Sequence, residues 1–383
     1  MGKPVGRART RAEVYRRFGE VDAAKTSPLY SRVAVALSES DEALRAIEAV
    51  PARKRHPSLI LAALHDLALA GRAPALAAAY APADGNPATG GDAAAGGGAA
   101  ADGDAAAYGD TAAAAAIDAL LRMTDAVAAI AQRRKPPTEE IGRHAVLYPA
   151  IAEAAWRLDA QAVGLIDVAC SAGLNLNVDR VGITYSSGQS LGDPSSPVQV
   201  SASVVGDRPI PTRAMPEVVA RVGIDPDPFD VTDADDARWL RACVWPDHPE
   251  RRAMLDAELA LAAATPPLVL RGNPLEMLPD AIAQVPANAV PVVTTTWALS
   301  GLSMERRQQF VRRLEEAAAD RPVAWVSVEG VGVAPTIPTL GDRPASGHSI
   351  IGLALLDRST PRTEALGRCW LRGRMLSWLT QRR

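Results

Sequence analysis

From residue 8 to about 160 the apolar positions recur with helical spacing. Leu59, Ile60, Leu64 and Leu67 make one such run, and Ile141, Ala145, Tyr148, Ile151 and Ala155 make another. Intervals of three and four residues put these side chains on one helix face. Pro57 opens the first run, and Thr138 stands as N-cap of the second with Glu139 and Glu140 in its first turn, where carboxylates complement the helix dipole. Between the two runs, residues 81–110 are alanine, glycine and aspartate with almost nothing to bury. Such a segment does not offset its own ordering entropy, so a flexible surface loop is expected.

After residue 160 the pattern changes to short apolar runs separated by helical stretches. The runs are VGLIDVA (163–169), VVARVGID (218–225), PLVLRG (267–272), VPVVTTT (290–296) and PVAWVSVEG (322–330). Helices are expected at 233–264, broken near Pro246 and Pro249, and at 274–284 and 303–319. Apolar strands spaced by helices predict a parallel sheet covered on both faces. SIIGLALLD (349–357) and LGRCWLRG (366–373) are separated only by a turn-rich segment and read as a terminal antiparallel hairpin. Residues 182–216 alternate in VQVSASVV and are rich in turn formers, which predicts an inserted antiparallel hairpin, either leaning over the rim of the site or serving as a purely structural flap. The fold class is therefore α/β, with a helical region at 1–158 and a mostly parallel α/β domain at 159–383.

Composition narrows the function classes. The 383-residue chain is 48% apolar with a formal net charge of −3, and it has no basic stripe of the kind nucleic-acid binding needs. Six Lys and Arg lie in the first 20 residues, but no apolar run of signal-peptide length follows them. The most apolar helix, Leu59 to Ala70, contains His65 and Asp66 and is shorter than the roughly 20 residues needed to span a bilayer. Cys170, Cys243 and Cys369 form no C-x-x-C pair, and the five histidines show no H-x-x-x-H spacing, so neither a disulfide framework nor a metal site is signalled. The expectation is a cytoplasmic protein acting on a small molecule, with no nucleic-acid or membrane partner and no metal.

In open parallel sheets, ligands bind beyond the carboxyl ends of the strands, where the strand order reverses. That rule selects Asp167 and the 169–173 loop, Asp225, Asn273, Thr296 with Trp297, and Glu329. Residues 331–347 carry no helix pattern, so the strand after them should run antiparallel and place His348 at the same edge.

The phrases SPLYSRVA (27–34), TEEIGRHAVLYPAI (138–151), DVACSAGLNLNVDR (167–180), GDP (192–194), RVGIDPDPFDV (221–231), RWLRACVWPDHPER (238–251) and VLRGNPLEMLP (269–279) resemble domain-of-unknown-function family 2332. The C-terminal half also resembles Rossmann-like S-adenosylmethionine-dependent methyltransferases. That second resemblance implies S-adenosylmethionine as cofactor. In its pattern Asp167 matches the acid after the first strand and Gly173 the last glycine, while Ala169 and Ser171 stand where the first two glycines would be. Asp225 matches the acid that binds the ribose hydroxyls. Asn273 stands where an Asp usually meets the adenine amino group, keeping an acceptor without the charge.

Competing readings share the same loop. Ala169-Cys-Ser-Ala-Gly173 is one residue from G-x-S-x-G, which would make Ser171 a hydrolase nucleophile with His348 downstream as base. No strands precede it as that fold requires. A dinucleotide fingerprint wants more glycines and an acid about 20 residues on, where Ser186, Ser187 and Gly188 stand. A methyltransferase-shaped domain that binds without transferring methyl groups is the main alternative. For a transferase, Glu329 and His348 are the candidate proton acceptors. Glu140 and Arg143 are placed to pair locally or to close the pocket, and Trp297 to stack on an aromatic group or pack in the core.

Overall fold

The computed structural model describes residues 9–81, 99–137 and 142–379. The chain divides into two compact units, Met1–Pro137 with Asp233–Asp256, and Thr138–Thr232 with Ala257–Arg383. The division therefore falls some 20 residues before the boundary expected at 158, and a later segment returns to the helical unit.

The helical unit holds α1 (Arg11–Arg17), α2 (Pro28–Glu39), α3 (Asp41–Glu48), α4 (Pro57–Leu69), α5 (Pro74–Tyr80), α6 (Ala99–Arg122) and α7 (Thr124–Arg133). Helix α6 corrects the expected 81–110 loop from residue 99 onward; residues 82–98 lie outside the described part. Alanine has the highest helix propensity, and Ala112, Ala113 and Ala116 are buried, so small side chains here serve close packing against α2. The next helices are α8 (His144–Arg157), then α9 (Ala234–Ala242) and α10 (Pro249–Ala264). Helix α9 and the start of α10 belong to the helical unit because their polar groups find partners there. Arg238 pairs with Asp66 at 2.9 Å, His65 Nδ1 meets the Ala242 carbonyl at 3.1 Å, and the Trp239 indole donates to the Lys135 carbonyl at 2.8 Å. His65 and Asp66 thus have separate partners rather than each other.

The second unit is built on one sheet of eleven strands. They are β1 (Ala162–Val168), β2 (Gly182–Tyr185), β3 (Ser190–Gly192), β4 (Gln199–Val204), β5 (Glu217–Asp225), β6 (Leu268–Arg271), β7 (Val290–Thr296), β8 (Val323–Gly330), β9 (Ser349–Leu356), β10 (Arg362–Trp370) and β11 (Met375–Trp378). Their order is β3-β2-β4-β11-β10-β9-β8-β7-β1-β5-β6. The run β6-β5-β1-β7-β8 is parallel throughout, and the chain leaves β1 towards β5 but later returns to β7 on its other side. The strand order therefore reverses between β1 and β7. Helices α11 (Pro274–Ala283) and α12 (Met304–Ala318) cover one face, over a core that includes Ile166, Ile224, Val293, Phe310 and Trp325.

Helix α8 lies on the other face. Every residue from His144 to Ala155 is buried, as expected of a helix that is apolar almost all round. It contacts β7, β8 and β9 and also β2 and β4, so the sheet curls around it, and the Tyr185 hydroxyl donates to the Ala145 carbonyl at 2.7 Å. This curl corrects the expected rim flap. Within residues 182–216, β2 and β3 form the antiparallel pair; β4 runs parallel to β2 and to β11 and extends the sheet. Its alternating side chains bury one face, which a free-standing flap would leave exposed. The terminal hairpin also gains a third strand, β11. β9 does pair antiparallel with β8, with Ser349 opposite Gly330.

Candidate functional site

The loop after β1 alternates its backbone conformation. Ala169 has φ 57°, Ser171 56° and Gly173 72°, so the three positions where the resemblance places glycines all take the left-handed region. For Ala and Ser this costs about 1–2 kcal/mol each. Hydrogen bonds hold the loop against that cost: Cys170 N–H donates to the Ile224 carbonyl at 3.1 Å, Gly173 N–H to Cys170 at 2.7 Å, and Ser171 N–H to Asp225 Oδ2 at 2.9 Å. Replacing Ala169 or Ser171 by glycine relieves the strain but adds chain entropy worth about 0.5–1 kcal/mol. A net gain of about 0.5–1 kcal/mol is expected for each, read as a melting temperature raised by about 1–4 °C. A fall in either variant would contradict the strain. After the loop the chain forms a 3-10 helix, Leu174–Arg180, kinked at Asn177.

Two acids lie under this loop. Asp225 is 2% exposed, and besides Ser171 it accepts the Asp227 N–H on Oδ1 at 2.8 Å. Its carboxylate is the peg that joins the ends of β1 and β5. Asp167 is equally buried; Thr294 Oγ1 donates to its Oδ1 at 2.7 Å and Asn175 Nδ2 to its Oδ2 at 3.1 Å. Burial raises the Asp167 pKa, against the Thr294 and Asn175 hydrogen bonds and the Arg143 charge, which lower it.

At the end of β7, Arg143 is buried and donates to Thr296 Oγ1 at 2.9 Å. Its guanidinium lies 4.9 Å from the Trp297 ring centre, and that of Arg372 lies 5.3 Å from the same ring. Trp297 is itself left-handed at φ 55°, a conformation that a bulky residue holds only when its surroundings fix it. Its indole donates to Ser349 Oγ at 2.8 Å. Glu140, expected beside Arg143, lies outside the described residues.

Other expected site residues are engaged elsewhere. Asn273 caps α11, accepting Leu275 N–H at 3.1 Å and donating to Glu276 at 3.1 Å. Strand alternation puts Glu329 on the face of Trp325, opposite the side where Thr294, Asp167 and Arg143 meet. Its Oε1 accepts the Ala298 and Leu299 amides at 2.9 and 3.1 Å, and burial pushes its pKa up to about 7. His348 sits at the expected edge, but its Nε2 is 2.9 Å from Asp342, which also holds Arg368 at 2.6 Å. The Ser171 hydroxyl, at 1% exposure, meets no hydrogen-bond partner among the described residues. Ser171 sits over β5, four strand spacings or about 19 Å from β9, so no Ser171–His348 couple forms.

A pair unmarked in the sequence lies at this same edge. His144, the first residue of α8, faces Glu258 of α10, with Nδ1 3.4 Å from Oε1 and both side chains at most 4% exposed. Burial lowers His144 to about 4 and raises Glu258 to about 8. Among the described residues, neither Nδ1 nor that Oε1 has a further hydrogen-bond partner. A cavity of about 510 Å³ opens at the other end of β5, beside Tyr148, Asp193 and Glu217; of the charged groups at its wall, Asp179 and Arg221 pair with each other at 2.6 Å. Among the described residues, no cluster of three or more His, Cys, Asp or Glu is arranged to hold a metal ion, and no single helix is long and apolar enough to cross a membrane.

A family model described as an uncharacterized protein conserved in bacteria, DUF2332, matches residues 12–378. No curated protein and no solved structure matches the chain.

Proposed function

The chain belongs to the DUF2332 family, and from that premise and the site geometry we propose an S-adenosylmethionine-dependent methyltransferase acting on a small-molecule acceptor. The observation that carries this reading is the loop 169–173. It keeps a left-handed turn at every second residue although two of the three positions are not glycine, at the point where the strand order reverses. Strained backbone of this kind persists where the surrounding structure and the site require it. The loop would cradle the cofactor, with Asp225 and Asp167 beneath it and Trp297 beside it.

Bound S-adenosylmethionine supplies an already activated methyl group. The protein's task is then alignment and exclusion of water, which the burial of Asp167, Ser171 and Arg143 favours. A second reading, ligand binding without transfer, draws on Asp225. A carboxylate has about four lone-pair directions, and two of Asp225's already serve the Ser171 and Asp227 amides.

Millimolar S-adenosylmethionine or S-adenosylhomocysteine is expected to raise the melting temperature by a few degrees, following RT ln(1 + [L]/Kd). Silence of both the wild type and Asp225→Asn would sink the cofactor assignment. Turnover to S-adenosylhomocysteine with a cell extract separates transferase from binder; binding without turnover supports the second reading.

A further inference from the structure

The cavity at the Glu217 end of β5 is lined by charges of both signs. Asp179 and Arg221 pair through two hydrogen bonds at 2.6 and 2.7 Å, so their charges cancel in its wall. Arg180, the last residue of the 3-10 helix, lines the same space. Among the described residues its guanidinium reaches only Asn177 Oδ1, at 3.5 Å, the outer limit of a hydrogen bond. Burial and then the Arg221 charge lower the Arg180 pKa, and an anion brought to it offsets both. Asp193 and Glu217 stand in the same lining, and neither forms an ion pair among the described residues. The Ser195 hydroxyl and amide donate to Asp193 Oδ1 at 2.6 and 2.8 Å, which keeps that carboxylate ionised. Tyr148, at 6% exposure, also lines the cavity. Its oxygen accepts the Met215 amide at 3.2 Å, while its own hydrogen has no acceptor among the described residues. A buried O–H is seldom left without one.

We propose that this cavity binds a free α-amino acid with an apolar side chain. Its carboxylate accepts from the Arg180 guanidinium and the Tyr148 hydroxyl, and its ammonium group donates to Asp193 and Glu217. Met215, Pro216 and Val218 supply an apolar wall for the side chain. The lining selects a zwitterion. An anion alone faces two unpaired carboxylates, and a cation alone faces Arg180 with Arg221 beside it. The volume of about 510 Å³ falls among small-molecule sites, which run from roughly 300 to 1,000 Å³.

This site is separate from the left-handed loop. Arg221 and Asp225 lie on the same strand, β5, about 13 Å apart at the rise of an extended chain. A ligand in the cavity is out of reach of a methyl group held at the loop, so the inference stands without the cofactor reading. The 3-10 helix nonetheless joins the two places, running from Gly173 of the loop to Arg180 of the cavity. Glu217 and Asp193 are exposed, and charged contacts of that kind are modest and screened by salt. Affinity is therefore expected to be weak and to fall as salt is added.

The test follows backbone amide resonances of the full-length, ¹⁵N-labelled protein during titration with L-leucine, L-methionine and L-phenylalanine. At least one is expected to move the Gly192 and Met215 amides to saturation at millimolar ligand. The amide of that amino acid lacks the carboxylate, and its deaminated acid lacks the ammonium group. Each should bind about tenfold more weakly, one charged hydrogen-bonding group having been lost. Arg180→Gln should weaken the amino acid by a similar factor and Glu217→Gln by less. Both side chains reach solvent, so the variants should fold, and unchanged resonances elsewhere check that they do. Asp225→Asn, at the loop, should bind as the wild type does. Silence towards all three amino acids overturns the proposal. So does an equal response to the amide or the deaminated acid, or an affinity unchanged in Arg180→Gln. Movement confined to the Ala169–Gly173 amides also overturns it and places the ligand at the loop instead.

Discussion

Asp225→Ala is expected to destabilise the α/β unit by about 3–5 kcal/mol. The carboxylate accepts two backbone N–H groups, from Ser171 at 2.9 Å and Asp227 at 2.8 Å. It is 2% exposed, so water does not replace it for free. A hydrogen bond to a charged acceptor contributes about 1.5–3 kcal/mol, and the donors left behind carry their own desolvation cost. The loss also releases the loop, in which Ala169 and Ser171 are held left-handed. The melting temperature should fall by about 10 °C. Asp225→Asn keeps one acceptor oxygen and should lose about half as much. If the alanine variant melts within 2 °C of the wild type, the peg role is wrong and the loop is held from elsewhere.

Much of this arrangement was legible in the sequence. Apolar runs located β1 and β5 to β9, because a strand buried on both faces must be apolar along its length. The missing helix pattern at 331–347 pointed to the antiparallel β9. Membership of the sheet was not legible for β2, β4 and β11. β4 joins β11 across some 170 residues of sequence, which carries β2 into the sheet with it, and local alternation does not encode which edge a strand joins. The expectation of a loop at 99–110 failed for a different reason: lack of bulky side chains was read as lack of burial, whereas alanine helices pack by close approach.

Site residues divide along the same line. Strand ends were readable, but the face on which each side chain emerges was not used. The parity of Trp325, Ser327 and Glu329 already places Glu329 with the α12 side of the core. Asn273 precedes Pro274, the ordinary grammar of a capped helix start, and the structure uses it so. His144 heads a run, HAVLYPAIAEAA, with almost no polar face. That run signalled a wholly buried helix, and hence a buried histidine in need of a partner. Glu258 lies more than 100 residues later and carries no local mark; only the fold brings it to 3.4 Å.

Burial of Glu258 and Glu329 makes stability depend on alkaline pH. Both ordinarily titrate at 4.5, and in the folded protein they are raised to about 8 and about 7. Between those values the folded state holds protons that the unfolded chain has lost. Their stabilising contribution is therefore complete below pH 4.5 and is lost as pH rises through 7 and 8. His144, lowered to about 4, acts with the opposite sign and only below its ordinary 6.5, so above that pH the two glutamates dominate. With each proton worth about 1.4 kcal/mol per pH unit, the α/β unit should lose about 3 kcal/mol from pH 6.5 to 9 and then level off. Glu258→Gln should remove about two-thirds of the loss and Glu329→Gln the remainder, measured as melting temperature against pH. A wild-type profile flat above pH 6.5 would mean that neither carboxyl is protonated in the folded state. If the slope is present and vanishes only in Glu258→Gln, Glu329 is ionised in place, and its two backbone donors rather than a proton stabilise it.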